Sequence, residues 1–102
     1  ERITLRKYEG EYEGSDTCIP NSKQKFLLST DPSELGSMQL NGNLKLNFRD
    51  SARFDILPQP YAGQMVEGEG QMLSESISFN YHWNDSFGQH FCIVQAELIA
   101  EI

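Results

Sequence analysis

The chain contains two cysteines, Cys18 and Cys92, and each lies at the edge of a segment that alternates between polar and apolar residues as a β-strand does. A disulfide between them would tie the first strand to the last and stabilise a small domain by ~4 kcal/mol in the chain-entropy model. We therefore predict this disulfide, and with it a secreted, periplasmic or cell-surface location. The alternative is a pair of buried free thiols in a cytosolic protein.

Size and charge narrow the class of protein. The 102 residues are 38% hydrophobic and include 15 acidic against 8 basic side chains, for a formal net charge of -7. A chain of this length builds one modest core, so we predict a single β-barrel-like domain over residues 1–102. Such a charge would repel a phosphate backbone, which argues against nucleic acid as a partner.

Hydropathy gives no sign of a membrane segment. No apolar run approaches the ~20 residues of a spanning helix, so no membrane span is expected within this chain. The opening residues, 1–4, also lack the apolar core of a signal peptide. We interpret the chain as a mature or excised fragment.

Period-2 alternation dominates, and no stretch has the spacing of a long amphipathic helix, which predicts an all-β domain. The first strand is predicted over 8–18, with aromatic residues and glycines facing inward and glutamates facing outward. Residues 20–22 should then interrupt the chain before a strand over 25–30, and 31–36 should form a turn.

The hydrophobic pattern selects the register of the second hairpin. A two-residue turn at Asn41-Gly42 would place the apolar residues before it opposite a polar row, so we predict a three-residue loop with a left-handed residue at Asn43. This register pairs Leu40 with Leu44 and Met38 with Leu46. The following strand, 52–56, is predicted to end at Pro58-Gln59-Pro60, because proline cannot donate to a ladder.

The third hairpin is predicted over residues 66–83. In its first strand Gly68 and Gly70 lie on the inward face between Val66 and Met72, alternating with polar residues, and they leave space for the rings of the returning strand. A four-residue loop, 73–76, would pair Met72 with Ile77, Gly70 with Phe79 and Gly68 with Tyr81. After a turn over 84–88, the last strand runs over 90–102. Both of its faces are apolar near its start, so we predict that it is central or covered on both sides.

About seven or eight short strands joined by tight turns, with the first and last linked by sulfur, predict an antiparallel meander curled into a small barrel. Closure would remove the exposed sheet edges. The alternative is a β-sandwich, which also gathers many short strands but needs longer crossovers.

The glycine and aromatic pattern resembles that of small secreted or lipid-anchored lipocalin-like β domains of Bacteroidetes cell-surface proteins. The resemblance rests on Tyr8-x-Gly10-x-Tyr12-x-Gly14 running into Asp16-Thr17-Cys18, on Val66-x-Gly68-x-Gly70, on Ile77-x-Phe79-x-Tyr81 and on the Cys92 strand. It implies export, with an N-terminal lipid anchor on a segment outside this chain. It implies no catalytic residues.

Catalytic and metal-binding chemistry are weakly represented. His82, Asp85, Ser86 and His90 contain the ingredients of a nucleophilic triad, but no strained nucleophile elbow surrounds the serine. His82 and His90 could approach across their hairpin and bind a metal together with Asp85, but histidines at exposed hairpin positions are commonly only solvated. The glutamates at 9–13 and 67–69 lack the spacing of a calcium-binding loop, and a solvated outer face is the expected role. We expect no enzyme activity, no metal and no cofactor.

Binding is the predicted function. Ligand-binding candidates are the inward rings Tyr8, Tyr12, Phe79, Tyr81 and Trp83, which either line a cavity for a small apolar ligand or fill the core. Trp83, Tyr61 and Phe87 near loops are candidates for stacking on a glycan or a protein. We expect a non-enzymatic secreted binding or scaffolding domain, with an adhesion module of a larger cell-surface protein as the alternative.

Overall fold

The fold is a closed eight-stranded antiparallel barrel, seen in a computed structural model that describes residues 5–31, 36–61 and 63–101. Each strand pairs with the next, and the last pairs with the first. The predicted small barrel is therefore confirmed. After a 3-10 helix at Arg6–Tyr8, the strands are β1 Gly10–Asp16, β2 Ile19–Thr30, β3 Ser37–Leu40, β4 Leu44–Phe48, β5 Arg53–Tyr61, β6 Gln64–Leu73, β7 Ser76–Asp85 and β8 Gly88–Glu101.

Alternation along the strands fills the barrel interior with apolar side chains. In β4, Leu44, Leu46 and Phe48 face inward while the residues between them are partly exposed. The other strands contribute residues in the same way, and the best-buried include Leu28, Met38, Leu40, Phe54 and Val94. Burial of each large apolar side chain stabilises the fold by roughly 1.5–3 kcal/mol relative to its exposure.

The second hairpin has the predicted register, with Leu40 opposite Leu44 and Met38 opposite Leu46. The prediction of a left-handed residue at Asn43 is wrong, because positive φ angles occur at Asn41 (55°) and Gly42 (73°) instead. The amide of Asn43 donates to the carbonyl of Leu40 at 3.2 Å, so the turn closes one residue earlier. Asn41 is held in place by β2, since its backbone amide and side-chain Oδ1 both bond Leu27.

The third hairpin also has the predicted register, with Gly70 opposite Phe79 and Gly68 opposite Tyr81. A Cβ atom on Gly70 would lie 2.7 Å from Cζ of Phe54, so glycine is required by packing at this position. The predicted four-residue loop is wrong. Leu73 pairs with Ser76, which leaves a two-residue turn.

The prediction that Pro58 and Pro60 end their strand is wrong, because β5 continues to Tyr61. The ladder between β5 and β6 shifts register between Ile56 and Gln59, which accommodates the first proline in a bulge. On the side that faces β4, the side chain of Gln59 takes the place of backbone hydrogen bonds between the strands. Its Oε1 accepts from the amide of Lys45 at 2.8 Å, and its Nε2 donates to the carbonyl of Lys45 at 2.9 Å.

The first strands also differ from their predicted bounds. β1 begins at Gly10 because Tyr8 belongs to the 3-10 helix. The predicted interruption at 20–22 is wrong, since β2 begins at Ile19, which pairs with Asp16 beyond a bulge in β1. The predicted turn over 31–36 lies largely outside the described residues.

Cys18 and Cys92 form the predicted disulfide, with 5.5 Å between their Cα atoms and 74 positions between them in the chain. It joins the β1–β2 turn to β8. Because Cys92 points into the barrel, Phe91 and Ile93 point outward, where they are 56% and 42% exposed. Of the two alternatives predicted for this strand, the central position is confirmed, because β8 pairs with both β7 and β1. Coverage of both faces is wrong, because the outer face is exposed. Within the described ranges, no helix has the length and apolar character needed to cross a membrane.

Candidate functional site

The five rings predicted to bind a ligand lie inside the barrel. Tyr8, Tyr12, Phe79 and Tyr81 are buried, and Trp83 is partly buried against the same core cluster. Tyr81 lies between two of the others, with its ring centroid 6.3 Å from Phe79 and 6.0 Å from Trp83. Of the five, the three rings of β7, Phe79, Tyr81 and Trp83, therefore pack on one another along that strand.

The 3-10 helix lies against the end of the barrel opposite the disulfide. The hydroxyl of Tyr12 donates to the carbonyl of Tyr8 at 2.8 Å, and the hydroxyl of Tyr8 donates to the carbonyl of Ser51. Burial, followed by the nearby Tyr8 hydroxyl, raises the pKa of Tyr12 above its ordinary value. These bonds satisfy the polar ends of two rings that are otherwise packed in the core.

A buried carboxylate lies at the disulfide end. Asp16 is 4% exposed, and it accepts hydrogen bonds from the Tyr81 hydroxyl at 2.7 Å and from the Cys18 amide at 2.8 Å. Its carboxylate and the two cysteine sulfurs lie within 4.8 Å of one another. Because both sulfurs are bonded in the disulfide, they cannot act as thiolate ligands to a metal in this state.

The four residues considered for a catalytic triad lie on two faces of the sheet. His90 pairs with Asp85 at 2.9 Å and stacks on Trp83 on the inner side. His82 lies on the outer side, where it pairs with Glu67 at 3.4 Å. Ser86 is exposed in the β7–β8 turn and makes no hydrogen bond to either histidine.

Asp85 has a structural role in the same turn. Its Oδ1 accepts a hydrogen bond from the amide of Phe87 at 2.8 Å, and this bond, followed by the contact with His90, holds its pKa below the ordinary value. The glutamate rows of β1 and β6 are also apart, because β1 pairs with β2 and β8.

The outer wall formed by β6, β7 and β8 carries a trough that runs along β7. Its floor consists of the short outward side chains of Ser76, Ser78 and Asn80, and it ends at His82. Longer outward side chains flank the floor on both neighbouring strands. They are Glu67, Glu69, Gln71 and Leu73 on β6, and Phe91, Ile93, Gln95 and Glu97 on β8. We call this feature the β7 trough.

Three cavities follow one another along the β7 trough. A cavity of about 630 Å³ lies over Ser76 and Ser78, the next, of about 340 Å³, over Ser78 and Asn80, and the last, of about 310 Å³, over Asn80 and His82. Neighbouring cavities share lining residues, so they adjoin one another along the strand. Six residue steps along a strand give the trough a length of about 20 Å, and two strand spacings give a width of about 10 Å.

Phe91 is the aromatic side chain of the β7 trough. It borders both the middle and the last cavity. Its ring lies parallel to that of His82, with an interplanar angle of 5° and 6.3 Å between centroids. The imidazole is in turn paired with Glu67, so one side of the phenyl ring is supported and much of the remainder faces solvent.

Five uncharged polar side chains lie in the β7 trough beside its charged residues. The side chains of Gln71, Ser76, Ser78, Asn80 and Gln95 make no hydrogen bond to any other residue in the described part of the chain. Two of the nearby cations are engaged: Arg49 contacts Asp55 at 3.2 Å, and Arg53 contacts Asp50 at 3.1 Å. The trough thus combines an aromatic wall with free hydroxyl and amide groups.

Sequence reasoning selected other surface aromatics. Phe87 is 92% exposed at the β7–β8 turn, whereas Tyr61 and Trp83 are partly buried on the core. Phe91 was missed because both faces of β8 are apolar near its start. The available signal was Cys92: once its sulfur is assigned to the interior, alternation places Phe91 outside.

A scan against protein-family models, a search of the curated proteins and a search of the solved structures each found no match to this chain.

Proposed function

We propose that the domain is a non-enzymatic binding module that holds an extended polymeric ligand in the β7 trough. The observation that carries this proposal is the succession of three cavities along one strand, with the exposed ring of Phe91 between two of them. A depression about 20 Å long and one chain wide suits a linear ligand better than a compact one. Binding in the trough corresponds to the alternative function predicted from the sequence, an adhesion module that recognises its ligand on its outer surface.

The interior is a second candidate site, for a small apolar ligand. Tyr61 and Trp83 are only partly buried at the disulfide end, which favours entry there. However, Tyr61 and Tyr81 contact edge to face with 5.6 Å between centroids, so a ligand would have to separate packed rings. Native mass spectrometry of protein purified from its own host tests this candidate, because a ligand in the barrel would add a discrete mass.

The proposed location is an oxidising compartment outside the cytosol. The disulfide supports it, because such bonds persist in secreted, periplasmic and cell-surface proteins. Membership of the lipocalin-like cell-surface domains and a lipid anchor outside this chain are part of the same proposal.

A substitution that fills the trough tests the proposed function. Ser78→Trp places a large ring on the floor between two cavities, and Ser86→Trp adds the same ring at an exposed turn. Backbone NMR shifts are followed while extended oligosaccharides and peptides are added. We expect Ser78→Trp to abolish shift changes at β6, β7 and β8, and Ser86→Trp to retain them.

Circular dichroism and thermal unfolding of both variants show whether the barrel remains folded. Shift changes confined to interior residues, or binding that survives in folded Ser78→Trp, would contradict the proposal.

A further inference from the structure

We infer that the ligand of the β7 trough is an uncharged oligosaccharide chain, an inference that rests on the proposed function. A sugar chain presents hydroxyl groups at its edges and apolar C–H groups on its ring faces. The trough has matching features for both: hydrogen-bonding side chains on all three strands and an aromatic ring on β8.

Hydrogen-bonding capacity is the first match. Ser78 and Asn80 on the floor, with Gln71 and Gln95 on the facing walls, each offer both donors and acceptors. None of these four side chains is engaged by another residue in the described ranges. Hydroxyl groups are also donors and acceptors, so a sugar can satisfy these groups in either direction, whereas a purely anionic or cationic ligand cannot.

The aromatic wall is the second match. The partly exposed ring of Phe91 stands at the boundary of two cavities, and Ile93 extends the apolar surface along β8. His82 packs parallel to Phe91 on one side of the ring. A rigid aromatic surface beside polar groups provides contact area at low entropic cost and sets ligand orientation.

Charge argues against a polyanionic chain. The three cavities are lined by more carboxylates than cations, and the chain as a whole has a formal net charge of -7. The carboxylates are Glu13, Asp55, Glu67, Glu69 and Glu97, and the cations are Lys23, Arg49 and Arg53. Sulfated or uronic acid polymers would therefore approach a surface of like charge.

Backbone pairing argues against a peptide. Along the trough, β7 is paired with β6 and β8, β6 is paired with β5 over residues 68–71, and β8 is paired with β1 from Val94 onward. Thr17 also bonds the backbone N–H and carbonyl of Ile93, so these strands offer little free backbone to which a peptide could add as another strand. A peptide would have to bind mainly through side chains. An oligosaccharide loses nothing from this arrangement, because it does not use strand pairing.

Calorimetry and NMR with defined probes test the inference. The neutral probes are maltohexaose, cellohexaose, xylohexaose and mannohexaose, and the comparison probes are hexagalacturonate, a hexamer of glucosamine and a library of extended peptides. We expect at least one neutral hexasaccharide to bind and to shift resonances of β6, β7 and β8. Its affinity should change less than about twofold between low and high salt, because the ligand is uncharged.

Two phenylalanine variants form a matched pair. Phe91→Ala should weaken binding of that hexasaccharide about tenfold or more, because it removes the aromatic wall. Phe87→Ala removes an equally large exposed ring outside the trough and should leave affinity unchanged. Gln95→Ala provides a second test that does not depend on the aromatic residue, with an expected loss of several fold.

Each failure has a separate meaning. If only peptides or charged sugars shift the trough residues, the inferred ligand class is wrong while the proposed trough function stands. If none of the probes shifts them, both are overturned. Equal effects of Phe91→Ala and Phe87→Ala would also overturn the inference.

Discussion

The hydroxyl of Tyr81 donates a 2.7 Å hydrogen bond to Oδ2 of Asp16, joining two residues 65 positions apart in the chain. Asp16 ends β1 and Tyr81 lies in β7, and β8 separates these strands in the sheet. The other carboxylate oxygen accepts from the amide of Cys18, whose sulfur is bonded to β8. The buried carboxylate of Asp16 thus links β1, where the barrel begins, to β7, close to the disulfide that joins the β1–β2 turn to β8.

Removal of the Tyr81 hydroxyl should destabilise the barrel. Tyr81→Phe keeps the packed ring but leaves the buried Asp16 with one donor fewer, and a hydrogen bond to a charged group contributes about 1.5–3 kcal/mol. Urea unfolding should show that the free energy of unfolding falls by this amount. Tyr61→Phe is the control, since the Tyr61 hydroxyl makes no hydrogen bond within the described ranges, and a loss equal to that of Tyr81→Phe would refute the role of the bond.

Alkaline pH should unfold the protein through its buried tyrosines. Burial, then the adjacent Asp16 charge, raises the pKa values of Tyr81 and Tyr61 above 10.0, and burial raises that of Tyr12. Because the folded values exceed the unfolded value, the stabilisation is complete below about pH 10 and is lost as pH rises through the folded values.

Absorbance of tyrosinate at 295 nm, followed together with circular dichroism, measures this pH dependence. We expect part of the tyrosine absorbance to appear only with unfolding, and Tyr81→Phe to flatten the dependence of stability on pH above 10. Complete titration of all tyrosines around pH 10 in the folded protein would contradict the expectation.

Loss of the disulfide should cost a large fraction of the stability. It closes a loop of 74 positions, for which chain entropy gives ~4 kcal/mol. The Cys18→Ala, Cys92→Ala double variant and the reduced wild-type protein should both unfold at much lower denaturant concentration than the oxidised protein. If all three unfold at the same midpoint, the bond contributes nothing to closure.

Gly70→Ala should destabilise the barrel by overpacking. A Cβ at this position would lie 2.6 Å from the carbonyl oxygen of Ser78 and 2.7 Å from Cζ of Phe54, distances that force backbone or ring to move. Overpacking typically costs about 1–3 kcal/mol. Gln71→Ala, on the outward face of the same strand, is the control and should change the urea midpoint little. If Gly70→Ala also leaves the midpoint unchanged, the third hairpin can accommodate a Cβ at this position and the overpacking argument is wrong.

The local register of the hairpins was predictable because it depends on alternation within short segments. A one-residue slip would expose every apolar residue of a strand, so Leu40 must face Leu44 and Gly70 must face Phe79. The disulfide and the barrel followed from the positions of two cysteines and from the meander of tight turns. The interior rings were likewise recognised from their alternation with glycine.

Features that depend on contacts between side chains of different strands were not predictable. The continuation of β5 through Pro58 and Pro60 depends on the side chain of Gln59 reaching Lys45 in β4. The β7 trough requires three strands in one register, and it places Phe91 beside His82 only after β8 has been aligned with β7. No pattern within a single segment contains that information.

The amino-acid sequence alone therefore determines an all-β chain, its inward and outward faces and its hairpin register, since each follows from the period of two along a strand. The tertiary structure decides which outward side chains of different strands become neighbours. That relation depends on strand order and register. They place Gln71, Ser78 and Gln95 directly opposite one another on the outer face of β6, β7 and β8, which creates the candidate site.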